Sequence, residues 1–214
     1  TENLDYIIYE HDHKYLASRN PAFYKDFLAP KEKIINFQFY KNAIAVLAQS
    51  NFHKDIIEKN LGLKNIINLS GNLWSEESLI LLEKYAKKSK KDGYSVMDSD
   101  ILHKNTREAV AYCQYKGIPY DLVSHDDYHI FLDKLSDNRN LVFFPKTPET
   151  LSRLVVEARM MGMSLITNKI IGATNEEWFS LKGVDLIQYM RHKRGTIVNT
   201  ILEAFNNENP TSNK

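Results

Sequence analysis

The chain has 214 residues, 43% hydrophobic and 26% charged, and 28 Lys and Arg against 27 Asp and Glu leave a formal net charge of +1. That length and composition suit a globular fold that buries its core without metal or disulfide staples, and exclude disordered, collagen-like and disulfide-scaffold proteins. The balanced charge excludes a global basic field for nucleic acid, and a lone cysteine, Cys113, excludes an internal disulfide and favours a reducing, cytoplasmic setting.

Tyr6–Tyr9 is a short, apolar, β-branched run that predicts a buried strand ending in the polar cluster Glu10-His11-Asp12-His13. Residues 18–33 carry Pro21 and Pro30 and read as loop with a short helix. Ala43–Ala48 predicts a second buried strand. Ser50 then caps a helix over 52–60 that Gly62 ends. A third strand is expected over 65–69, and Ser75-Glu76-Glu77 opens a helix to about Lys90. Lys90-Lys91-Asp92-Gly93 reads as a break, and the basic run Lys87, Lys88, Lys90, Lys91 as a solvated helix end.

Beyond the break, short apolar strands (94–97, 120–123, 141–144, 164–167) alternate with helices (106–115, 128–135, 151–161) over short connections. A short helix is expected over 175–179 and a long one over 186–205. Strands that are continuously apolar are covered on both faces, so the pattern predicts parallel βα units in a Rossmann-like sheet. The organisation expected is a partial N-terminal domain (1–75), a linker helix (76–92), a nucleotide-binding domain (93–190), and a C-terminal helix and tail (191–214). No span is apolar and long enough to cross a bilayer.

The informative stretch follows the strand at 141–144, where Pro145 and Pro148 precede Glu149, and Glu157 lies two turns into the next helix. Parallel sheets bind ligands at the carboxyl ends of their strands, where helix N–H groups suit a phosphate. A loop carboxylate there can accept hydrogen bonds from sugar hydroxyls. Glu157 sits among Val155, Val156 and Ala158, so it needs a partner in protein or ligand. Cys113 and Met160, Met161 and Met163 read as core, and Trp74 and Trp178 as packing residues. Asp98 and Asp100 form a D-x-D pair read as a strand-end loop, and His11 and His13 lack a third ligand for a metal site.

Proline, then a glutamate, seven residues, and a second glutamate followed by Ala and a later Gly resembles the E-x7-E motif of GT-B glycosyltransferases, in particular the family-four retaining enzymes. The resemblance is colinear. Gly172-Ala173 with Glu176 is similar to the family's Gly-Gly-x-x-Glu, Tyr94–Asp98 with His103-Lys104 to the first strand and phosphate-binding Lys of the nucleotide domain, Ala45–Ser50 to the last acceptor-domain strand, and Ile7–Asp12 to the acceptor-side His loop.

The resemblance implies a fold of two Rossmann-like domains, the first truncated or reduced here, and transfer of a sugar from a nucleotide-diphosphate donor to a glycan or lipid-linked acceptor in polysaccharide synthesis. It implies retention of configuration without a metal or other cofactor. Glu157 would meet the ribose, Glu149 the donor sugar, the backbone N–H groups of Thr150 and Leu151 with Lys104 the diphosphate, and His11 the sugar from the opposite domain. The sequence departs from the family in two places. Asp98 stands where an Arg is usual, leaving Arg153 or Arg107 as the substitute, and Ser152 stands where a Gly is usual. A binding module without catalysis and a sugar-nucleotide epimerase of the same architecture are the alternatives. Peripheral membrane association and a homodimer are left open by the sequence.

Overall fold

A computed structural model describes residues 4–208. The strands form two parallel sheets. The first has strand order β1-β2-β3, from Ile7–Tyr9, Ala45–Ala48 and Ile66–Asn68. The second has order β5-β4-β6-β7, from β4 (Lys91–Met97), β5 (Tyr120–Val123), β6 (Asn138–Phe143) and β7 (Ser164–Thr167). The Rossmann-like α/β class expected from the continuously apolar strands is what the chain forms.

Alternation along each strand splits the core. In β2, Val46 and Ala48 face a cluster with Tyr15, Tyr40, Ile57 and Leu61, while Ala45 and Leu47 face Leu69 and Ile197. In β6, Leu141 and Phe143 join the largest core, and Val142 packs with Val96, Ala109 and Cys113. Cys113 and all three named methionines are buried, and Trp74 and Trp178 are packed in the largest core.

The local signals explain most helix ends. Helix α2 (Asn51–Leu61) starts where the Ser50 side chain accepts from the His53 N–H, and ends at Gly62 with φ 64°. Helix α3 (Glu76–Ala86) is capped by Ser75, α4 (Thr106–Lys116) stops at left-handed Gly117, and α5 (Tyr128–Leu135) is capped by Asp127. Helix α6 (Arg153–Met160) follows β6.

Several expectations shift. A short helix α1 (Phe37–Asn42) precedes β2; its N-cap Asn36 makes no side-chain capping bond, so the start lacks a sequence signal. Residues 18–33 form three 3-10 turns, and the region of the expected short helix at 175–179 forms two more, Gly172–Asn175 and Glu177–Ser180. Lys91–Gly93 is strand, not a break. Its register with β6 is irregular between Lys91 and Tyr94, where a Cβ at Gly93 would collide with the Asn138 side chain.

The basic run is not merely solvated. Lys88 Nζ lies 2.7 Å from both Asp133 and Asp137, and Lys90 Nζ donates to the Tyr85 and Lys88 carbonyls at the end of α3. The last helix, α7, runs unbroken over Val184–Glu208. Its start packs into the larger core through Leu186, Ile187 and Met190, and its later turns cover the first sheet through Ile197, Ile201 and Ala204. Arg191 and Arg194 grip the two oxygens of Glu76 at 2.8 and 2.6 Å, fixing α7 to α3. Among the described residues no helix is long and apolar enough to cross a membrane.

Candidate functional site

The carboxyl ends of the two sheets meet across a cleft of about 480 Å³. One wall is the loop after β1. Glu10 is 1% exposed, yet its Oε1 accepts from the backbone N–H groups of His11, Asp12 and Lys14, and its Oε2 accepts from the Tyr40 hydroxyl. A carboxylate taken out of water is tolerated only with such partners. The loop is thereby wound around Glu10, which sets His11 and Asp12 at the cleft and turns His13 inward with φ 54°.

His11 stacks on Tyr9 with ring centroids 4.6 Å apart. Burial, and then the Lys14 charge, hold its pKa below the ordinary imidazole value. His13 and His53 lie edge to face at 5.0 Å, both buried. Burial pulls His13 down to about 4 and His53 well below its usual range. His13 Nδ1 is 2.9 Å from the Tyr15 hydroxyl, and His53 Nδ1 accepts from the Gln49 backbone N–H.

The other wall is the segment between β6 and α6, with the 3-10 turn at Leu102–Lys104 beside it. Lys104 Nζ donates to Glu149 Oε1 at 2.8 Å, with the two side chains 27% and 15% exposed. This ion pair lies at the cleft surface, where a ligand can exchange with it. Glu149 is held by its backbone, which bonds to Ile170 and Gly172. Gly172 is needed there, because a Cβ would collide with the Thr150 carbonyl and the Ser50 hydroxyl.

Polar bonds stitch the walls together. Ser50 donates to the Thr150 carbonyl at 2.6 Å. Glu176 accepts from the Asn51 N–H at 2.6 Å and from the Ser70 hydroxyl, and Trp178 Nε1 donates to the Ser70 carbonyl. Thr150 Oγ1 lies 2.9 Å from the His11 carbonyl oxygen and 2.6 Å from one end of the Gln49 side-chain amide, whose other end is 3.1 Å from His11 Nδ1.

Four residues singled out from the sequence, His11, Lys104, Glu149 and Thr150, therefore line one cleft. Two do not. Leu151, singled out for its backbone N–H and not its side chain, is 1% exposed with that side chain in the largest core. Glu157 is buried behind the wall, where its Oε1 accepts from Trp74 Nε1 at 2.9 Å and from Arg153 at 3.1 and 3.2 Å. Arg153 also lies over the Trp74 ring at 5.1 Å. Glu10 and Gln49 escape a sequence reading as site residues: each is an ordinary polar residue beside a strand, and only the tertiary path turns it inward, whereas Glu176 enters it only through the resemblance. Among the described residues no group of three or more His, Cys, Asp or Glu is placed to hold a metal ion.

Ser152 opens α6 with φ 73°, in the left-handed region that favours glycine. Its hydroxyl is buried and makes no hydrogen bond.

No protein-family model matches the chain, and no curated protein matches it. Among solved structures, a glycosyltransferase from Rickettsia africae ESF-5 is similar with a TM-score of 0.41 and 16% identity, over 80% of this chain and 63% of that one. The likeness is a loose one of chain path, and this chain spans less than two thirds of that protein's length.

Proposed function

We propose that the cleft is the donor site of a GT-B glycosyltransferase of the retaining, family-four type, binding a nucleotide-diphosphate sugar. The observation that supports this is one of convergence. His11 and Thr150 stand 139 positions apart in the chain, yet they touch in one cleft that Lys104 and Glu149 also line, at the carboxyl ends of two parallel sheets. Those are the positions at which the sequence resemblance puts donor-binding groups.

In this reading the diphosphate takes Lys104 from Glu149. Lys104 then meets the negative charge that develops on the leaving group, and the freed Glu149 carboxylate accepts from sugar hydroxyls. Such preplaced charge lowers the barrier to oxocarbenium-like departure. His11 meets the sugar from the opposite wall. Arg153, at the first turn of α6 and 48% exposed, supplies the phosphate cation that Asp98 does not. Its charge already reaches His11. Glu157 Oε1 is held by both Trp74 and Arg153, so in this reading a ribose reaches that carboxylate as Arg153 turns to the phosphate. The chemistry asks for no metal when these cations suffice, and the acceptor is a glycan or lipid-linked hydroxyl.

Calorimetric titration with UDP, GDP, ADP and CMP, with and without Mg²⁺, tests the reading. One nucleoside diphosphate is expected to bind without metal, and Lys104→Ala is expected to weaken it at least about tenfold, the value of one charged hydrogen bond. Absence of binding by all four nucleotides overturns the donor site for this chain.

A further inference from the structure

The contact between the two walls carries a consequence for the protonation of His11. Thr150 has one hydroxyl hydrogen, but Oγ1 lies within bonding distance of two groups, the His11 carbonyl oxygen at 2.9 Å and the Gln49 side-chain amide at 2.6 Å. A carbonyl oxygen can only accept, so the hydroxyl hydrogen goes to His11. The Gln49 atom facing Oγ1 must then donate, and is its NH2 group. Amide orientation is assigned from such networks, because oxygen and nitrogen ends look alike. With the NH2 end on Thr150, the Gln49 oxygen faces His11 Nδ1 at 3.1 Å. That oxygen needs a hydrogen in return. The Tyr9 hydroxyl also reaches Gln49 but gives its hydrogen to Asn72 Oδ1 at 3.0 Å, so Nδ1 carries it.

The opposite orientation sets two oxygens, Thr150 Oγ1 and the His11 carbonyl, at 2.9 Å with no hydrogen between them. The parts of the relay are well fixed. Gln49 is 3% exposed, its carbonyl accepts from the Gly71 N–H, and its own N–H donates to His53. The His11 ring plane is set by its stack on Tyr9.

We propose that Gln49 is a positioning residue that transmits the Thr150 hydroxyl bond to His11 and holds the imidazole as the Nδ1–H tautomer, leaving Nε2 as a hydrogen-bond acceptor for a ligand hydroxyl in the cleft. The ligand rests on the transferase reading above; the tautomer does not. Thr150 belongs to one wall, and Gln49 and His11 to the other, so the acceptor at Nε2 is fixed only while the walls are engaged. Parting them frees Gln49 to turn over and His11 to take the Nε2–H form. His11 is neutral near neutral pH, since burial and Lys14 hold its pKa down, so the tautomer is the state that matters.

Two-bond ¹⁵N–¹H correlation spectra of the full chain labelled at histidine read the tautomer directly, with His11 assigned by its loss in His11→Asn. The native chain is expected to show protonated Nδ1 and bare Nε2. Thr150→Val and Gln49→Leu are expected to shift His11 to Nε2–H or a mixture. Thr150→Ser keeps the hydroxyl and should restore the native pattern. An Nε2–H native tautomer, or a His11 pattern unmoved by Thr150→Val, overturns the proposal. Native behaviour of the tautomer with no nucleotide binding leaves the relay standing and removes the transferase reading alone.

Discussion

The two walls of the cleft are built on opposite plans. The wall after β1 is wound around a carboxylate that ligands never see: Glu10 spends its oxygens on three backbone N–H groups and Tyr40. The wall before α6 leaves its carboxylate at the surface, with Glu149 paired to a single lysine. A buried, multiply bonded charge fixes a backbone; a half-buried ion pair can change partners at little cost. The first wall is scaffold and the second is exchangeable, and a site that must both hold His11 and admit a charged ligand needs one of each.

Removing the scaffold should have the largest effect. Glu10→Ala orphans three N–H groups and the Tyr40 hydroxyl and should cost about 3 to 5 kcal/mol in chemical denaturation. Lys104→Ala, on the exchangeable wall, should leave stability within about 1 kcal/mol. Equal losses in the two variants would erase the distinction.

Acid should attack the same scaffold. The imidazole of His13 takes up a proton near pH 6.5 when unfolded but only near 4 when folded. Between those values the unfolded chain binds more protons, so stability falls as pH falls through that window, by about 3 kcal/mol from His13 alone. His53 adds to the loss in the same direction. Denaturation midpoints unchanged from pH 7 to pH 4.5 would show that these rings are open to solvent.

The seam between the walls is the next test. Gly172→Ala drives a methyl group against the Thr150 carbonyl and Ser50 and should cost about 2 kcal/mol, with the Ser50–Thr150 bond lost first. A crystal structure of the variant with that bond intact would contradict it. The smallest effect is a gain. Ser152→Gly relieves a left-handed φ of 73° and removes an unbonded buried hydroxyl, and should stabilise by about 1 kcal/mol. A destabilised Ser152→Gly would mean that the hydroxyl has a partner.

Local chemistry made much of the fold legible. Ser50 with Gly62 bounds α2, and the strands at 120–123 and 164–167 fall where their apolar runs do. What escaped was set at a distance. The start of β4 at Lys91 is exposed and charged, and it is strand only because β6 pairs with it. Helix α1 has no capping side chain. In the site, His11, Lys104, Glu149 and Thr150 were found through a motif, whereas Glu10 and Gln49 carry no local pattern: an ordinary Glu at a strand end looks the same whether it faces water or the inside of a loop. Glu157 was legible as a buried carboxylate in need of a partner, but Arg153 and Trp74 were not legible as the partners it has in this structure.

Helix α7 bears on how the chain reaches this structure. The apolar underside of β1–β3, Ala45, Leu47 and Leu69, is closed by Ile197, Ile201 and Ala204. The first sheet is made before those residues, so this face of it stays uncovered until α7 is made. Vectorial synthesis ordinarily lets the leading unit set before the trailing one. Here the order is reversed: the trailing sheet can close first, and the leading sheet locks last, onto a helix that the trailing one has already anchored.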